Sequence, residues 1–114
     1  MELRFEDTGD LRVITVEEDR IDAAVAIQFK DRMRELTDAA PPGVLLDLSR
    51  VAFLDSSGLG AVVAAFKQAG PDRKLELAGL TPPVEKVFKL TRMDSVFTIH
   101  ASVSDVTGFL ANAS

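Results

Sequence analysis

Ser56 and Ser57 stand side by side behind Asp55, with Gly58, Leu59 and Gly60 immediately after them. A serine hydroxyl in such a setting can act as a catalytic nucleophile, accept a phosphate, or cap a helix. The nucleophile needs a base, and His100 is the sole histidine of the chain. The strand–elbow–helix signature G-x-S-x-G is absent, because aspartate precedes the serine pair. Catalysis by a Ser–His pair would therefore have to recruit His100, which reads better as a strand-end or surface residue. Asp47 and Asp55 lie near two strand ends, where paired carboxylates can hold Mg²⁺. Asp47 followed by Ser49 reads more readily as a turn at the end of a strand. No G-x-x-x-x-G-K-[ST] segment exists to cradle nucleotide phosphates. With no cysteine, thiolate catalysis, thiolate metal sites and disulfides are excluded. No metal or cofactor is expected.

The phosphate-acceptor reading depends on what holds the serines. Phe53-Leu54 reads as a strand end and Ser57 to Ala69 as a helix, so the hydroxyls fall at the helix start. The first-turn amides of a helix lack intrahelical partners and sit at the positive end of its dipole, a favourable place for an anion. Gly58 and Gly60 cost about 0.8–1.0 kcal/mol each relative to alanine inside a helix. Something must offset that, and the close approach of another protein's backbone is one candidate. The plainer alternative is that Asp55 or Ser56 caps the helix and the glycines serve packing.

The remaining elements follow from patterning. Leu3–Phe5 and Leu11–Val16 flank Asp7-Thr8-Gly9-Asp10 and read as a hairpin, the second strand covered on both sides. Asp22 is placed to cap a helix whose apolar face is Ala26, Phe29, Met33, Leu36 and Ala40, ended by Pro41-Pro42-Gly43. Val44–Leu48 reads as a central strand. In the second helix Leu59, Val62, Val63 and Phe66 form the apolar side. Leu75–Ala78 is a strand, Thr81-Pro82 opens a third helix, Val96–Ile99 is the last strand and Val103–Leu110 the last helix. Strands alternating with helices predict a small α/β domain spanning residues 1–114, with a mostly parallel sheet and helices mainly on one face.

Composition narrows the partners. A net charge of −5 with scattered Lys and Arg argues against nucleic acid. No run approaches the roughly 20 apolar residues of a membrane span, and no leader is visible, so a cytoplasmic location is expected. The acidic run Glu17-Glu18-Asp19 could suit a receiver domain, but no lysine closes the last strand at Ile99-His100-Ala101, and the run reads as a solvated turn. The seven phenylalanines are spread over the elements as core residues are and form no base-stacking platform.

Three stretches together resemble the STAS family of bacterial anti-sigma factor antagonists and sulfate-transporter tails. These are Arg20-Ile21-Asp22-Ala23-Ala24, Leu45-Leu46-Asp47-Leu48-Ser49 and Val51-Ala52-Phe53-Leu54-Asp55-Ser56-Ser57-Gly58-Leu59-Gly60. The resemblance implies a non-enzymatic switch protein phosphorylated on Ser57, with Ser56 the weaker candidate. It further implies a partner kinase that doubles as anti-sigma factor, and a phosphatase that resets the switch. The contact surface would comprise Asp22, Asp55, Ser56, Ser57, Gly58, Leu59 and Gly60. A STAS subunit of a lipid or anion transport complex is the alternative binding role, and a small hydrolase or nucleotide-binding enzyme the alternative of another class. Asp19 and Arg92 stand where the family often has glycine; arginine tolerates a left-handed backbone poorly, so a different end to the third helix is expected.

Overall fold

Gly9, with φ +59°, lets the chain reverse over two residues, so β1 (Leu3–Thr8) and β2 (Leu11–Val16) pair antiparallel from Leu3↔Val16 to Thr8↔Leu11. The computed structural model describes residues 1–113, with side chains through Gly108. After β2 come β3 (Arg20–Ile21), α1 (Ala26–Asp38), β4 (Gly43–Asp47), β5 (Phe53–Leu54), α2 (Ser56–Ala69) and β6 (Lys74–Ala78). The chain continues through α3 (Pro82–Leu90), a 3₁₀ turn (Met93–Ser95), β7 (Ile99–His100) and α4 (Val103–Ala113). The main sheet has the order β1-β2-β4-β6-β7, parallel throughout except for the hairpin. This is the expected α/β sheet. The two-residue strands β3 and β5 form a second, parallel pair; Phe53-Leu54 reads as a strand end from the sequence, whereas β3 and the pairing do not.

Strand alternation divides the sheet into two faces. Ile14, Val16, Val44, Leu46, Leu75 and Leu77 face the core, against Phe29, Met33 and Leu36 of α1, Val62 and Ala65 of α2, and Val84 and Phe88 of α3. Burying each of the larger side chains stabilises the fold by about 1.5–3 kcal/mol. Leu45 and Ala78, on the other face, are buried too, and Val106 of α4 lines a cavity with Leu45 and Glu76 there. Beyond Gly108 the side chains of α4, Phe109 and Leu110 included, lie outside the described residues. β2 is not covered on both sides: Arg12, Ile14 and Val16 are buried, whereas Leu11, Val13 and Thr15 are only half-buried on the more open face.

Several local expectations change. Asp22 does not cap α1: its Oδ1 accepts from the Ala24 amide and its carbonyl from the Val25 amide, a turn that delays the helix to Ala26. The buried stripe of α2 is Gly58, Ala61, Val62, Ala65 and Ala69, small residues that allow close packing against α1 and β3. Leu59, Val63 and Phe66 sit at its margin. The last strand is Ile99–His100 instead of Val96–Ile99, because Phe97 turns inward onto Phe66 and Phe88, with ring centroids 4.9 and 5.7 Å away. Among the phenylalanines, Phe5 and Phe53 are 45% and 50% exposed and do not belong to the core.

Arg92 corrects the expectation for the end of α3. It adopts φ +61° and ψ +18°, the left-handed geometry a glycine would take, so the helix end is retained and the arginine bears the strain. The Ser95 amide and hydroxyl both donate to the Arg92 carbonyl and hold that geometry. Asp19, by contrast, has no positive φ. A left-handed L-residue costs roughly 1–2 kcal/mol, partly returned because glycine is freer when unfolded. Arg92→Gly should therefore raise stability by up to about 1 kcal/mol, read as a higher Tm in thermal unfolding. An unchanged or lower Tm would show that the arginine side chain compensates for its backbone.

Candidate functional site

The start of α2 is held by three connections made before the helix begins. The amides of Ala52 and Phe53 both donate to the Asp19 carbonyl, and Ile21 pairs with Leu54 across β3 and β5. The Thr81 hydroxyl, just ahead of α3, donates to the Val51 carbonyl at 2.6 Å. Asp55 then closes the arrangement as the N-cap. Its Oδ1 accepts the Gly58 amide at 2.8 Å, and its Oδ2 accepts the Ala23 amide at 3.2 Å from the turn before α1. One carboxylate thus joins two segments 32 residues apart in sequence.

Gly58 lies beneath this clamp. A Cβ on it would stand 1.9 Å from the Ile21 carbonyl oxygen and 2.9 Å from Cδ1 of Leu54. The expected close approach to Gly58 is real, but the backbone that approaches belongs to the same chain. Gly58 is buried and shapes the site from behind, which removes it from the contact surface proposed for a partner. Gly60 differs: it is exposed, and a Cβ there would meet nothing within 4 Å.

Ser56 and Ser57 are exposed on the first turn, and neither hydroxyl makes a hydrogen bond among the described residues. Asp55 has taken the capping role, so the serines are not needed for it. The amides of Ser56 and Ser57 head the helix and keep no helical partner. Asp22, Asp55, Ser56, Ser57, Leu59 and Gly60 therefore share one end of the molecule, with Leu59 half-buried. Sequence reading missed the Ile21 carbonyl, the Ala23 amide and the exposed ring of Phe53. Two-residue strands carry no periodicity to reveal them.

The other candidates serve structure. Nε2 of His100 lies 2.7 Å from Oε1 of Glu76, whose other oxygen takes Lys74 at 3.1 Å. Burial pushes the Glu76 carboxyl up, but the hydrogen bonds from His100 and Lys74 outweigh it and hold the group below the usual carboxylate range. No hydrogen bond joins His100 to either serine among the described residues. Asp47 accepts the Ser49 amide at 2.9 Å and ends β4 in a turn. Among the described residues no three carboxylate or imidazole groups gather as a metal site, and no helix is long and apolar enough to cross a membrane.

Residues 2–106 match the family model of the STAS domain. Over 109 residues, 95% of this chain and 94% of the relative, the chain is 27% identical to an anti-sigma-B factor antagonist of Listeria monocytogenes. An anti-sigma-factor antagonist domain from Planctomyces limnophilus superposes with a TM-score of 0.83 at 24% identity, covering 98% of each chain. The phosphorylated form of SpoIIAA, a Bacillus cell fate determinant, superposes with a TM-score of 0.69 at 19% identity, covering 96% of this chain and 99% of that one.

The two glycines of α2 yield opposite expectations for one substitution. Gly58→Ala forces the Ile21 backbone aside and should cost about 1–3 kcal/mol net. Gly60→Ala adds a methyl in open space and should gain up to about 1 kcal/mol of helix propensity. Thermal unfolding of both variants reads the difference, each kcal/mol moving Tm by about 4–8 °C in a chain of this size. A stabilised Gly58→Ala protein would refute the close approach of Ile21.

Proposed function

The chain belongs to the STAS domain family, and from that premise we propose that it is an anti-sigma factor antagonist switched by phosphorylation of Ser57. The observation that carries this reading is the division of labour at α2. Asp55 caps the helix, which leaves the Ser57 hydroxyl exposed and without a structural partner among the described residues. Its antagonist relative in Listeria supports the same role.

Unphosphorylated, the protein docks on an anti-sigma factor that is also a serine kinase. The docking surface is the first turn of α2, with Ser56, Ser57 and Gly60, bordered by Asp22 and the half-exposed Phe53. Phe53 supplies the apolar area such a contact needs, and the serines let the kinase backbone come close. Phosphate on Ser57 adds roughly −1.5 to −2 charge at neutral pH. The adjacent amides of Ser56 and Ser57 favour that anion within the protein, while the contact that excluded water from the hydroxyl is broken by charge. A phosphatase returns the hydroxyl and with it the binding. The site works in the cytoplasm and calls for no cofactor.

Incubation with the cognate kinase and ATP should add one phosphate, located on Ser57 by peptide mapping. Ser57→Ala should abolish labelling, bind the kinase constitutively and unfold within about 0.5 kcal/mol of the parent, as an unpartnered surface residue does. Ser57→Asp, with less charge than phosphate, should bind more weakly than the alanine variant. Full labelling of Ser57→Ala would move the acceptor to Ser56 or elsewhere.

A further inference from the structure

β1 is a free edge of the main sheet, and five of its six residues are exposed. Such an edge offers unpaired amides and carbonyls to another strand unless its side chains forbid it. The Glu17 amide donates to the Glu2 carbonyl, which fixes the alternation of bonds between β1 and β2. Arg4, Glu6 and Thr8 bond to β2; the amides and carbonyls of Leu3, Phe5 and Asp7 point away from it.

We propose that β1 pairs antiparallel with β1 of a second copy, about a two-fold axis passing through Phe5. The pairing must join outward-pointing residues to one another, which restricts the possible centres. An axis at Arg4, Glu6 or Asp7 would set two like charges directly opposite, a destabilising arrangement. An axis at Leu3 would carry the rest of β1 past the end of its partner strand, leaving Phe5 and Asp7 opposite no residue of β1. Centred on Phe5, every outward group from Leu3 to Asp7 finds a partner, and Arg4 of each copy faces Glu6 of the other.

The local electrostatics favour that match. Arg4 and Arg50 both contact Glu17, so this cluster carries one excess positive charge. Glu6 makes no ion pair among the described residues. On the opposite side of the strand the two Phe5 rings meet. Each ring is 45% exposed and already carries the Arg12 guanidinium 4.3 Å from its centroid. Arg12 is held by Asp7 and by the Leu36 carbonyl, so the ring is presented on a fixed support. The interface lies on the edge strand of the sheet and is independent of how Ser57 is read.

Sedimentation of the intact chain from micromolar to near-millimolar concentration tests this. The parent should show a reversible monomer–dimer equilibrium. Arg4→Glu and Glu6→Arg each create two like-charge pairs and should weaken the dimer about tenfold. An equimolar mixture of the two variants should restore it, since position 4 of each copy then faces the opposite charge at position 6 of the other. Because the chain has no cysteine, Phe5→Cys offers a second readout. Cα atoms in a bonded antiparallel pair lie about 5.5 Å apart, within disulfide range, so this variant should oxidise to a covalent dimer. Thr8→Cys, which does not face itself, should not. A parent that stays monomeric throughout, a mixture no more dimeric than its components, or equal cross-linking at positions 5 and 8 would overturn the proposal.

Discussion

The contact on which the site depends is the one between the Gly58 α-carbon and the Ile21 carbonyl. A side chain at position 58 would overlap that oxygen, so α2 can begin where it does only with glycine there. The close approach brings the turn after β3 within reach of the Asp55 carboxylate, which then accepts amides from both segments. A single N-cap bond of this kind contributes about 1 kcal/mol. Here it also fixes the relation of α1 to α2, whose small-residue stripe from Ala61 to Ala69 continues the same close packing. Farther along, the Thr37 hydroxyl lies 2.8 Å from Oε1 of Gln68 and ties the far ends of the two helices.

On the proposed function, this arrangement lets a hydroxyl serve as a switch without endangering the fold. The cap is a carboxylate one residue before the serines, so the proposed phosphate on Ser57 would leave the hydrogen bonds of the helix start in place. The added charge acts outward, on whatever rests against the first turn. It would also enter a region that already holds Asp22 and Asp55, so a partner suited to the unmodified surface would meet a sharply more negative one. The change is local electrostatics, and a rigid support lets it be read as loss of contact.

The order of strands and helices was legible because each long element carries its own periodicity, as Ala26, Phe29, Met33 and Leu36 do for α1. The serine pair and its place at a helix start were legible for the same reason. What escaped were features made by two distant segments. The cost of Gly58 was visible, but its cause is Ile21, far earlier in the chain and in a strand of two residues. Asp22 has the residue type of a helix cap and instead makes a turn, because the clamp on Ala23 sets where α1 can begin. Arg92 breaks the usual residue preference while keeping the left-handed backbone, which the bonds from Ser95 hold. Phe97 reads as a strand residue and is a plug between Phe66 and Phe88, since the preceding 3₁₀ turn shifts the register.

The most direct test compares the natural protein with its own phosphorylated form, without substitutions. Calorimetric titration of each form into the same kinase gives the two affinities, and thermal unfolding of each gives the two stabilities. The phosphorylated form should bind at least about a hundredfold more weakly, equivalent to about 2.7 kcal/mol, with stability nearly unchanged. Equal affinities, or a loss of binding matched by a loss of fold, would contradict it.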